Sequence, residues 1–217
     1  MPRLPLSKLV LVIAPLVLGT GCSTTTDSST SPLATPESGA MVWLEASPEL
    51  ANRMDQRMEQ VPWVHGLEEH VEMSQWWADK GEPAYSRLLK MAGDPRPNVA
   101  DLALAALASS RDGRLVGPLR EIPWPSTDQV DLRYSRARTH LRLGDWSHVG
   151  ELVNGLEDDR LRSRSMCIKI LRDTTRMDFG YHAQAPEEQR AVAVQRWREW
   201  VASRQGDPLL VPVPTAK

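Results

Sequence analysis

Residues 144–171 read GDWSHVGELVNGLEDDRLRSRSMCIKIL, from Gly144 to Leu171. Trp146, Val149, Leu152, Val153 and Leu156 recur at the three- and four-residue steps that place side chains on one face of a helix. Gly144-Asp145 ahead of that run and Asp158-Asp159 behind it are breakers, and an Asp in such a place can cap a helix N-terminus. The stretch therefore spells two short helices joined by a tight turn, which makes them antiparallel neighbours. It also has echoes. Asp145, Val149, Gly150 and Leu152 match Asp112, Val116, Gly117 and Leu119 at a constant offset of 33 residues. In the second helix, Cys167 and Leu171 line up with Ala137 and Leu141, and these with Ala103 and Leu107, at steps of 30 and 34. A period in the thirties built from two helices means pairs that stack, because one pair alone encloses too little core.

The same spacing continues toward the N-terminus. Tyr85, Leu88, Leu89 and Ala92 form one apolar face, and Val99, Leu102, Ala103, Ala106 and Leu107 form the next. Gly81-Glu82-Pro83, Gly93-Asp94-Pro95 and Asp112-Gly113 mark the turns between them. Between about residues 48 and 204 no stretch alternates with period two. The composition leans the same way: Leu and Ala are abundant, while Ile, Phe and Tyr, which pleated sheets favour, number only four, one and three. The expectation is an all-α chain.

The repeated unit, Gly-Asp followed by two helices with inward Val, Leu and a small residue, resembles the HEAT repeat. Residues 144–171 are the best copy, residues 81–107 a second, and residues 112–143 a third with a longer inter-helix loop, PWPSTD. The resemblance implies an α-solenoid of antiparallel helix pairs, about four of them, over residues 47–204. In HEAT proteins an Arg at the start of a second helix commonly pairs with an Asp of the turn, forming a ladder.

The N-terminal segment reads as an address. Arg3 and Lys8 precede a ten-residue apolar run, Leu9 to Leu18, too short to span a bilayer and shaped like a secretory signal. Its end, Leu18-Gly19-Thr20-Gly21-Cys22, resembles the bacterial lipobox. That implies a signal peptide over residues 1–21 and a diacylglycerol and acyl modification on Cys22. Ser23, rather than Asp, follows the cysteine, and the expected location is the outer membrane facing the periplasm. Residues 22–46 open with the Ser/Thr/Pro-rich STTTDSSTSPLATPESGA and bury too little to order, so they are expected to be a disordered tether. Residues 205–217, with Pro208, Pro212 and Pro214, are expected to be an extended tail.

The 217 residues carry 26 basic and 28 acidic side chains, a formal net charge of −2, which argues against a strongly basic nucleic-acid binder. Two cysteines leave no disulfide framework and no multi-cysteine metal site. Asp178-Phe179-Gly180 spells a kinase triplet, but no glycine-rich loop or catalytic Asp–Asn loop accompanies it, so Phe179 and Tyr181 are expected to pack under the last helix. His65 and His70 stand five apart, not the four a helical metal pair needs. His140 and His148 straddle a turn, with no carboxylate that spacing assigns to them, and Cys167 is expected in the core. No metal and no other cofactor is expected.

Two features exceed the ordinary. Of the 26 basic residues 21 are Arg, and Arg133, Arg136, Arg138, Arg142, Arg160, Arg162 and Arg164 crowd into 32 positions. They read first as the HEAT ladder and otherwise as a ridge for an acidic partner. Trp76 and Trp77 cannot both face inward on one helix, so one of them is a candidate contact residue. With no catalytic constellation, the expected role is a membrane-anchored, non-enzymatic scaffold for an unidentified protein partner, without nucleic acid or small-molecule ligand. The alternatives are an accessory or catalytic component of envelope maintenance, built around His140, His148 or the 178–182 loop, and a spacer lipoprotein.

Overall fold

Residues 42–204 are described in a computed structural model, and every regular element among them is a helix. In chain order these are α1 (Pro48–Gln60), α2 (Leu67–Ala78), α3 (Tyr85–Ala92), α4 (Pro97–Ser110), α5 (Val116–Glu121), α6 (Val130–Arg142), α7 (Val149–Asn154), α8 (Leu161–Thr175) and α9 (Glu187–Ser203). Single 3₁₀ turns at Val61–Trp63, Glu82–Ala84, Gly113–Leu115 and Gly155–Glu157 tighten the junctions. The expected signal segment, Cys22, most of the tether and the tail lie outside the described residues. Residues 42–46, expected in the tether, are held in place. Trp43 meets the Tyr85 ring edge-on at 5.1 Å with Arg114 above it, and the Leu44 N–H donates to Glu82.

The punctuation of the sequence sits where the chain turns. Gly81 and Gly144 occupy positive φ, +61° and +90°, which a side chain resists. Asp94, Asp112 and Asp158 use one device three times. Each carboxylate accepts the backbone N–H of the Arg two residues on, at 2.9, 3.0 and 2.8 Å, and grips that residue's guanidinium. The arginine then reaches back along the chain: Arg114 to Glu82, 32 residues away at 3.0 Å, and Arg160 to Asp131, 29 away at 2.8 Å. Arg87 reaches Asp55 in the same way, 32 residues back at 2.7 Å. Exposed pairs of this kind contribute little energy, about 0–1 kcal/mol each, but they record a spacing that recurs from one helix pair to the next.

The helices pack chiefly against those one or two places away in the chain. Helix α4 lies against α2, α3 and α6; α6 against α4, α7 and α8; α7 against α8 and α9. Among the described residues there are two hydrophobic clusters. One gathers Met54, Trp77, Leu88, Leu102, Leu107, Leu115 and Leu119. The other gathers Leu152, Leu156, Cys167, Leu171, Tyr181 and Trp197, and includes the loop pair foreseen from the sequence: Phe179 meets Trp197 edge-on at 4.8 Å. Helix α6 is the wall between them, sending Leu132 to the first and Tyr134, Ala137 and Leu141 to the second.

The second cluster closes on a glycine. Gly155 is buried where α7 gives way to α8, and a methyl group there would overlap the Cys167 sulfur and press on the Tyr134 ring at 3.0 Å. Gly150, one turn earlier, faces open space. Gly155→Ala is expected to destabilise the fold by about 1–3 kcal/mol through overpacking, and Gly150→Ala to stabilise it by up to about 1 kcal/mol through helix propensity. Chemical denaturation of the two variants checks this, and equal effects would contradict the close approach.

Candidate interaction surface

The seven arginines divide sharply by burial. Arg136 is 1% exposed and Arg164 9%, so neither presents a docking face. The Arg136 guanidinium donates to the carbonyls of Leu119 and Ile122, which end α5, and its Nε donates to His140 Nε2 at 3.2 Å. A cation at a helix C-terminus satisfies carbonyls that have no partner of their own. Burial pushes Arg136 down to about 10, so it stays charged at neutral pH. Arg164 likewise donates to the carbonyls of Asp158, Asp159 and Ala183. Arg133 pairs with Glu151 at 2.6 Å, Arg142 with Asp173 at 3.5 Å, Arg138 with Asp101 at 3.9 Å, and Arg160 with Asp158 and Asp131. Arg162 is exposed and makes no such contact among the described residues. The positive ridge is therefore largely neutralised within the chain.

Behind Arg136 lies a polar joint whose carboxylate the sequence did not point to. His140 Nδ1 and Asp145 Oδ2 are 2.8 Å apart, Arg120 reaches the same oxygen at 2.9 Å, and the Ser147 hydroxyl donates to Oδ1 at 2.6 Å. His148 stacks on Trp124 at 4.1 Å, with its ring 4.7 Å from that of His140. His140, Asp145 and His148 bring three ligand-type atoms within 4.8 Å of one another. Both His140 nitrogens are already engaged, however, and two guanidiniums stand at hydrogen-bond distance, an environment that repels a divalent cation. With 1% exposure His140 also meets no substrate. The group is a joint between α5, α6 and the turn before α7. His65 and His70 do not converge: His65 is exposed and His70 faces Asp101 at 3.3 Å.

Burial is the main influence on both joint histidines and holds them below the ordinary range, against the pull of Asp145 and with Arg120 and Arg136 pushing the same way as burial. Burial alone would raise Asp145, but donors from His140, Ser147 and Arg120 hold it well below the usual carboxylate range. Cys167, in the core as expected, is pushed up to about 12 by burial, so its sulfur stays a thiol and not a nucleophile.

The open surface lies elsewhere, around the turn between α1 and α2. Trp77 is fully buried and offers no contact face; Trp76, beside it, is half-buried under Arg57 and Lys80, 5.4 and 4.8 Å from its ring centroid. The exposed aromatic is Trp63, in the 3₁₀ turn between α1 and α2, at 74%. Leu67 at 74% and Val71 at 42% follow it along the outer face of α2. Trp63 separates two clefts: one of about 380 Å³ walled by Met58, Pro62, Met91 and Val99, and one of about 530 Å³ walled by Arg57, Glu69, Glu72, Met73 and Trp76. The signal for this stripe was present as Trp63, Leu67 and Val71 at i, i+4 and i+8, but an apolar row of that kind reads equally as core. No family model, curated protein or solved structure matches this chain.

Two measurements follow. Arg136→Ala leaves the carbonyls of Leu119 and Ile122 without their donor and is expected to cost at least about 2 kcal/mol, whereas Arg162→Ala stays within about 0.5 kcal/mol. Similar losses by chemical denaturation would show that Arg136 is not structural. The depressed histidines fix a sign for pH: the unfolded chain takes up protons at 6.5 that the folded chain refuses, so stability is full above that value and falls as pH drops below it. His148→Gln is expected to flatten that fall in denaturation midpoints, and an unchanged slope would contradict it.

Proposed function

We propose that the chain is a lipid-anchored docking module of the cell envelope, a HEAT-like solenoid that holds a protein partner and performs no chemistry of its own. The observation that carries the reading is Trp63, 74% exposed between two clefts and continued by Leu67 and Val71. Monomeric surfaces rarely keep a large apolar row uncovered, and aromatic anchors beside concave pockets are where interfaces concentrate their energy. The solenoid is supported by ion pairs recurring at 29–32 residues and by packing between helices one or two places apart in the chain. Residues 1–22 support the anchor: a short apolar run ending at Cys22 in a lipobox-like setting. The joint around His140 is closed to substrates, which weakens the enzymatic alternative.

In-cell photocrosslinking from position 67 tests the reading, with positions 162 and 192 as controls on other faces and a Cys22→Ala chain as the control for anchoring. One discrete adduct from position 67, lost in Trp63→Ala and dependent on Cys22, is the expected result. Adducts of equal yield from all three positions, or none from position 67, would overturn it.

A further inference from the structure

The docking reading leaves the chemistry of the partner open, and the charges around the stripe narrow it. Helix α2 opens Leu67-Glu68-Glu69-His70-Val71-Glu72, so three glutamates flank the two exposed aliphatic side chains. Glu68, Glu69 and Glu72 are exposed, and none has a cationic partner among the described residues. This contrasts with Arg133, Arg138, Arg142 and Arg160, each of which is matched by an internal carboxylate. The two cations beside the second cleft, Arg57 and Lys80, are drawn over the Trp76 ring. Those two cations keep their charge and Lys90 lines the first cleft, but the charged side chains that directly flank Leu67 and Val71 along α2 are the three glutamates.

That charge discriminates among occupants. A second copy docking through the same face would set its own Glu68, Glu69 and Glu72 near these three, and like charges across an interface oppose association. An anionic lipid surface would be repelled in the same way. A polypeptide whose apolar side chains are flanked by Lys or Arg gains on both counts. Leu67 and Val71 stand one turn apart on α2, with Trp63 in the 3₁₀ turn ahead of that helix; such a ridge is what one helix packs against another, with clefts beside Trp63 for the larger side chains. We propose that the Trp63–Leu67–Val71 stripe receives a cationic amphipathic helix from its partner. This rests on the docking reading and adds the sign of the partner's charge.

The test uses the full mature chain carrying Cys22→Ser, so that no acyl group competes, titrated with two labelled synthetic amphipathic helices. One is built of Leu and Lys, the other of Leu and Glu in the same pattern. The Leu/Lys helix is expected to bind, to weaken with added salt, to lose about tenfold in affinity against Glu68→Gln/Glu69→Gln/Glu72→Gln, and to be lost against Leu67→Ser/Val71→Ser. Both variants alter exposed side chains only, and circular dichroism verifies their folding. Equal or tighter binding of the Leu/Glu helix, or binding of neither, overturns the charge assignment while crosslinking from position 67 still decides the docking reading. Self-association abolished by Trp63→Ala, or binding to anionic vesicles in preference to the Leu/Lys helix, overturns it in favour of those occupants.

Discussion

A guanidinium stands between two hydrophobic cores. Helix α6, VDLRYSRARTHLR, is among the more polar sequences in the chain, yet Leu132, Tyr134, Ser135, Arg136, Ala137, Thr139, His140 and Leu141 are all buried. A helix can be that polar and that buried only if each polar group finds a partner. Arg136 closes the end of α5, Thr139 donates to the Leu104 carbonyl of α4 at 3.0 Å, and His140 is fixed between Arg136 and Asp145. These ties run from α6 to α4, to α5 and to the turn before α7. Greasy contact is tolerant of sliding, whereas hydrogen bonds to specific carbonyls are not, so α6 sets the register between the two halves of the described chain.

The same demand organises the charges. An arginine inside or beside a core must be neutralised or spread over carbonyl oxygens, and here turn aspartates and helix ends do that work. The consequence is that little free positive charge remains where the arginines are densest. Unmatched charge accumulates instead on the outer side of α2, where no further helix of the described chain arrives to cover Leu67, Val71 or Trp63. In stacked helix arrays each pair covers the next, and an end pair keeps an open flank unless its outer face is polar.

Much of the fold was legible before any coordinates. Helical spacing at Tyr85 to Ala92, Val99 to Leu107 and Trp146 to Leu156 placed α3, α4 and α7, because period is a local property set by backbone geometry. Turn residues such as Gly81, Gly144 and Asp112 marked the boundaries for the same reason. Phe179 and Tyr181 were placed under the last helix, and Cys167 in the core. The candidate surface was less legible. Trp76 and Trp77 drew attention as a pair, while Trp63, Leu67 and Val71 drew none.

The amino-acid sequence by itself determined the helical class and the turn chemistry, since each depends on residues within a few positions of one another. It also carried the lipobox-like segment ending at Cys22. Tertiary structure alone decided which polar residues are inside. Nothing local distinguishes Arg136, sealed on the carbonyls of α5, from exposed Arg162, or marks Asp145 as the partner of His140 and Arg120. Nor does any local rule show that Leu67 and Val71 face outward, because burial is conferred by whichever helix arrives from elsewhere in the chain, and on that side of α2 none of the described helices does.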